Sequence, residues 1–194
     1  MAPGCFRIPD WRARRALEPI IRSLPEYSGY PVRVRFRPEL RAWRGQLLSK
    51  SPSGNPVHAG SEIRRREMVL DSELLQDQAE LRRIFVHEVH HFVWVRLGNA
   101  GRQTYESVIA EEMSERARGE LGWSAQVLKN KLTPEDLVRR TRKWRDYACE
   151  SFCDTAAWMY SATAGHEEWT LASGRRQNRA RALRDLLSGA PVSI

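Results

Sequence analysis

No run of eighteen consecutive apolar residues occurs in this chain, so a membrane-spanning helix is not expected. The opening segment, Met1-Ala2-Pro3-Gly4-Cys5-Phe6-Arg7, has no apolar stretch of the kind a secretory signal carries, and no such signal is expected. Cysteine is scarce: three residues, an odd number, with Cys149 and Cys153 inside one helical segment. That argues against a disulfide framework, reads the thiols as small buried hydrophobes, and fits a reducing cytoplasm best. Internal repeats and low-complexity tracts are lacking, as are zinc-finger spacing, a helix-turn-helix signature and an aromatic-basic strand of the RNA-recognition type. Positive charge is plentiful. Lys and Arg total 32 against 24 Asp and Glu, a formal net charge of +8. Arginines dominate, clustering at Arg12 to Arg15, Arg33 to Arg44, Arg64 to Arg66, Arg139 to Arg145 and Arg175 to Arg184. Such a balance permits an acidic or nucleic-acid partner and equally describes solvated faces; no motif selects nucleic acid. With 194 residues and 41% hydrophobic content, the chain is long enough for one domain with a substantial core.

Hydrophobic periodicity outlines the elements. Asp10 caps a helix predicted from Trp11 to about Ser23, ended by Pro25 and Ser28-Gly29. Pro31 to Arg37 alternates strictly and predicts a half-buried strand, with Val32, Val34 and Phe36 inward and arginines outward. A second strand is expected over Ala42 to Leu48, a loop over Ser49 to Gly60 and a third strand over Glu62 to Asp71. A long helix follows from near Asp77 to Gly98, then another over Arg102 to Leu121 with Tyr105, Ile109, Met113 and Ala117 as its apolar face. Thr133-Pro134-Glu135-Asp136 is a strong helix start, opening a segment that reaches Ser161 with room for a break. Ser173 to Leu187 reads as a basic amphipathic helix used for packing. The elements predict an α+β fold: a small mixed sheet packed on a central helix, with a mainly helical C-terminal half. Residues 1–194 form the single domain, 1–98 supplying helix, sheet and central helix and 99–194 the helical part.

The central helix carries His87-Glu88-Val89-His90-His91, an H-E-x-x-H pentapeptide. On a helix His87 and His91 stand one turn apart, about 40° around the axis, and can close on one metal ion. Glu88 lies about 100° from His87, placed to reach a water rather than the ion. Phe85, Val86, Val89, Phe92 and Val93 surround the polar arc, so that arc must be satisfied internally or open into a cleft. Two imidazoles beside a carboxylate base are what zinc-assisted hydrolysis requires. A third protein ligand is then needed, and two candidates compete. Glu111 falls opposite the apolar face of its helix, beside Thr104, Glu115 and Arg118. Glu150 sits in the apolar stretch Tyr147 to Trp158, where Asp154 is nearly the only other ionisable side chain and lies one turn further on the same face. A buried carboxylate needs a compensating partner; for Glu150 that is a metal or one of the many arginines. Asp154 would then accept from a ligand histidine and fix its tautomer. Cys149 and Cys153 fall outside the Glu150 face.

His87-Glu88-x-x-His91 followed by Glu150-x-x-x-Asp154 resembles the zincin metallopeptidases, in their gluzincin-like branch, and the size is similar to the small stand-alone forms, including short peptidases related to the phage-repressor-cleaving type. The resemblance implies a Zn2+ cofactor held by His87, His91 and Glu150, Glu88 as general base, and Asp154 supporting a histidine. The interval from His91 to Glu150 is longer than the family's usual one, which Glu111 would meet; an insertion helix between the ligand helices reconciles it. The resemblance further implies a peptide or protein substrate lying along the strand before the central helix, here Glu62 to Leu70, with Arg64, Arg66 and Met68 as contacts. Those arginines either select acidic residues or protect an exposed edge. An oxyanion donor is expected from Tyr147, His166 or Tyr160. Two other readings use the same residues: a non-catalytic binding or regulatory protein with a basic surface, and hydrolysis of a non-peptide amide.

Overall fold

The computed structural model describes residues 4–189 and 191–194. Met1, Ala2 and Pro3, part of the segment read for a leader, and Ala190 lie outside the described residues. The chain runs β1 (Phe6–Arg7), α1 (Trp11–Arg22), β2 (Tyr27–Ser28), β3 (Val32–Arg37), β4 (Leu40–Trp43), β5 (Gln46–Ser49), β6 (Asn55–Pro56), β7 (Ala59–Glu62) and β8 (Glu67–Asp71). The helical half follows as α2 (Gln78–Arg96), α3 (Gly98–Ser114), α4 (Trp123–Lys129), α5 (Pro134–Val138), α6 (Arg142–Tyr160) and α7 (Ser173–Leu186), closed by β9 (Val192–Ser193). The fold is mixed α+β. Among the described residues no helix is long and apolar enough to cross a membrane.

The main sheet has the order β1-β3-β8-β7. Strands β1 and β8 run parallel to β3, while β7 is antiparallel to β8 and forms the edge. Alternation along β3 works as the sequence predicts: Val32 and Val34 are buried, and Arg33, Arg35 and Arg37 take the outer face. The inner face meets α2, with the rings of Phe6 and Phe85 centred 5.3 Å apart. Helix α2 starts where Asp77 accepts from the backbone N–H groups of Ala79 and Glu80. Its other flank packs along α6, so α2 lies sandwiched between sheet and helix with Phe85, Val86, Val89, Phe92 and Val93 buried. A helix sandwiched in this way needs apolar residues nearly all round, which explains its composition.

Three expectations in the strand region need correction, and the helix expected to reach Leu121 ends at Ser114. The strand expected over Ala42 to Leu48 is a hairpin, β4 and β5, turning at Arg44 (φ 48°) and Gly45 (φ 77°). Two successive positive φ angles make a tight hairpin turn, and Arg-Gly is not the usual signature for it. The loop expected over Ser49 to Gly60 contains β6 and the start of β7. The strand expected over Glu62 to Asp71 is broken by a 3-10 turn at Ile63–Arg65 and by Arg66 in the left-handed region (φ 51°). The chain reverses there, so Glu62 ends the edge strand and Glu67–Asp71 becomes an interior strand.

The helical half is organised around one buried cation. Arg179 on α7 is fully buried and donates to both carboxylate oxygens of Glu112 and of Glu120 at 2.6–3.1 Å. Glu120 also accepts from the Tyr147 hydroxyl at 2.7 Å and pairs with Lys129 at 2.9 Å. This network joins α3, α4, α6 and α7 behind the central pair α2 and α6.

Candidate metal centre

The helical period carries His87 and His91 to one face of α2, their rings centred 4.9 Å apart. Helix α6 brings Glu150 against them: Glu150 Oε2 lies 3.3 Å from His87 Nε2, and Oε1 lies 3.8 Å from His91 Nε2. Two ligands at 2.0–2.1 Å from a tetrahedral ion stand about 3.3 Å apart, the spacing of Glu150 and His87, and donor atoms of His87, His91 and Cys153 lie within 4.8 Å of one another, a cluster that could hold a metal. Asp154 Oδ1 lies 2.8 Å from His87 Nδ1. With Nδ1–H donating to Asp154, loss of the proton on Nε2 would free that nitrogen to ligate an ion. The other Asp154 oxygen is buried without a hydrogen-bond partner among the described residues and lies against Gly122, the residue before α4.

The interior charge pattern suits a cation. Burial opposes the ionised form of Glu150, yet the hydrogen bond from His87 and the charges of both histidines hold its carboxyl down to about 2. Burial likewise opposes protonation of His87, but Asp154 and Glu150 carry its pKa well above the ordinary imidazole value. For His91 burial is outweighed by Cys149 and Glu150, and the pKa rises to about 9. Burial dominates at Asp154, raising its pKa against the pull of His87. Positive charge at the two histidines is therefore what these carboxylates stabilise, and a metal would replace it.

Glu88, one residue along α2, is held from the sheet side: Ser61 on β7 donates its hydroxyl to Glu88 Oε2 at 2.6 Å. A cleft of about 380 Å³ opens here, bordered by His87, Glu88, Asp154, His58, Ala59 and Trp123. One wall is thus the edge strand, the floor is α2 and the opposite rim is the start of α4.

The other expected residues are distributed as follows. Glu111 is exposed on α3, as its helical position indicates. Tyr147 is turned away, fully buried with its hydroxyl committed to Glu120, so it is not an oxyanion donor. His166 lies 3.5 Å from Glu80 in an adjoining cavity of about 430 Å³ that shares His58, Arg83 and Glu168 with the cleft. Tyr160 stacks on His90, which is buried in the core with Nδ1 2.8 Å from the Val86 carbonyl. Met68 is fully buried in an interior strand and cannot touch a substrate. Arg66 donates to the carbonyls of Tyr30, Pro31 and Ile194, a structural tie. Arg64 is exposed and lines a cavity on the outer face of the sheet, away from the cleft.

The cysteines also differ from expectation. Cys149 Sγ lies 3.4 Å from His91 Nδ1, and the Cys153 thiol lies within 4.8 Å of donor atoms of both histidines. Two adjacent rows of α6 face α2, so the residues flanking Glu150 and Asp154 share the site. A hydrogen bond with Cys153, opposed by burial and helped by His91, lowers the Cys149 thiol to about 6. Ser61, His58 and Gly122 carry no periodic or motif signal in the sequence; only the packing of β7 and the start of α4 against α2 brings them to the cleft. Arg83, which also lines the cleft, stands one turn before His87 on the same helical row, so helical spacing could have found it.

Compared with family models, with curated proteins and with solved structures, the chain matches none.

Proposed function

We propose that the protein is a zinc-dependent peptidase of zincin-like architecture, with His87, His91 and Glu150 as metal ligands and Glu88 as general base. The observation that carries this reading is the meeting of Glu150 Oε2 with His87 Nε2 at 3.3 Å, beside a cleft lined by His87, Asp154 and the largely buried Glu88. When bound, zinc supplies Lewis acidity and a water acidic enough to attack near neutral pH. Asp154 orients His87 through Nδ1. Ser61 fixes one oxygen of the Glu88 carboxylate, aiming it into the cleft, where it accepts a proton from the attacking water and passes it to the leaving amine. An extended substrate adds to the outer edge of β7, Ala59–Glu62, by backbone hydrogen bonds; this replaces Glu62 to Leu70 as the substrate rail. His58, exposed at the head of that strand, is assigned to the developing oxyanion. His58→Ala should lower kcat by about 10²-fold.

The test is zinc per chain, by elemental analysis of tag-free protein, beside cleavage of a peptide library. Wild type and Glu111→Ala should bind one equivalent and cleave. Glu150→Ala should lose metal, and Glu88→Ala should keep metal and lose cleavage. Wild type that takes no zinc on reconstitution overturns the ligand set, and zinc binding without cleavage of any peptide overturns the peptidase.

A further inference from the structure

The face of the main sheet turned away from α2 carries a groove of about 750 Å³ that the peptidase reading does not use. Strand β3 sends Arg33, Arg35 and Arg37 into it, β1 places Arg7 in register beside Arg33, and the turn after β7 adds Arg64 and Arg65. Glu67 offsets Arg33 and Arg35 at 4.0 and 3.3 Å, and Glu62 offsets Arg65 at 3.2 Å. Arg66 also lines the groove but is committed to backbone carbonyls; the other six guanidinium groups against two carboxylates leave four free to pair with anions over one open surface. Successive outward residues of a strand stand about 6.6 Å apart, so β3 presents a straight ladder of guanidinium forks. Such forks match phosphate oxygens in pairs of hydrogen bonds. At the end of the groove, next to the lining residue Pro31, Tyr30 is 81% exposed. An aromatic ring in water beside a cationic track is a stacking platform for a nucleobase.

We propose that this face binds single-stranded nucleic acid, the arginine ladder following the phosphates and Tyr30 stacking a base. The site uses charge and a ring face rather than base edges, so it is tolerant of sequence. It lies across the sheet from the metal cleft, and its occupancy leaves the cleft open. An acidic polypeptide would satisfy the arginines but leave Tyr30 unexplained.

The experiment is fluorescence anisotropy with a labelled oligo-dT of about 16 nucleotides, the upper site size of common single-strand binders, across a series of salt concentrations. Wild type should bind with log K falling against log salt at a slope of about −3, four phosphates at about −0.7 each. Arg33→Ala combined with Arg35→Ala and Arg37→Ala should weaken binding at least about tenfold and flatten the slope by about 2. Arg7→Glu with Arg64→Glu, two exposed side chains in no ion pair among the described residues, tests the same groove if the first variant unfolds. Tyr30→Ala should weaken binding about fivefold or more without changing the slope. The control pair Arg139→Glu and Arg142→Glu, exposed arginines outside the groove, should change little. Absence of binding, or equal loss in the control pair, overturns the proposal. So does tighter capture of a labelled polyglutamate peptide, or of duplex DNA with no dependence on Tyr30.

Discussion

At Gly122 the backbone is extended (φ −166°) and open to any residue, yet a Cβ there would fall 2.3 Å from the Asp154 carboxylate. The constraint is contact, not conformation. Gly122→Ala must push Asp154 away from His87, so zinc affinity should fall about 10–100-fold, the range for loss of a partner that orients a histidine ligand. Isothermal titration of Gly122→Ala beside Asp154→Ala checks this, and equal affinity in all three proteins would remove Asp154 from its assigned role. The pairing of His87 with His91 was legible because helical periodicity is a local property: they stand four positions, about one turn, apart whatever the rest of the chain does. Glu150 was legible for another reason, as a carboxylate in a segment too apolar to leave it solvated. The direction of Cys149 and Cys153 was not, because one helix in isolation does not reveal how wide a face its neighbour covers. Tyr147 was misjudged on similar grounds; its partner Glu120 comes from a connection whose path only the packed helices define.

Among the elements, α5 was the most readable in the sequence, and its chemistry yields a pH prediction. Thr133 and Asp136 form a reciprocal cap, and Asp136 also accepts from the Thr141 hydroxyl at 2.6 Å. That hydrogen bond, with the donors of Thr133, lowers the Asp136 pKa to about 2 from an ordinary 3.8. A depressed folded-state pKa means that the unfolded chain binds the proton first as pH falls. The contribution of Asp136 is therefore complete above about pH 4 and lost as pH drops through about 2. Urea midpoints at pH 5 and pH 3 should converge for Asp136→Asn relative to wild type, while Thr133→Ala should cost about 1 kcal/mol at pH 5. An unchanged acid profile in Asp136→Asn would place the acid sensitivity elsewhere. The β elements were harder to read. Alternation revealed β3, but a two-residue turn without Asn or Asp merged β4 and β5, and a left-handed arginine at position 66 hid a chain reversal. That one reversal exchanges an edge for an interior position, and with it the assignment of Met68.

On the scale of the whole molecule, the residues of the candidate metal centre come from two helices that three others separate in sequence. The Arg179 network braces α6 from behind, since Arg179 joins Glu120 and Ser151, tying α7 to the segment that carries Glu150. Arg179→Met would leave Glu112 and Glu120 short of a buried cation, a loss of about 3–5 kcal/mol, readable in urea denaturation. Nothing in the sequence marks Arg179 among so many arginines, because only burial distinguishes it. A metal held by His87, His91 and Glu150 would tie α2 to α6 directly, and its contribution would follow from linkage. An ion that binds the folded state alone at a free concentration of 100 times its Kd adds about 2.7 kcal/mol. In a chain of this length each kcal/mol moves Tm by about 2–4 °C, so chelation should lower Tm by about 5–10 °C. Glu150→Ala should lose that response because it has no metal to release, and Glu88→Ala should keep it because the base holds no metal. A chelator effect of equal size in Glu150→Ala would mean that zinc, if it binds, does so outside the pairing of α2 with α6.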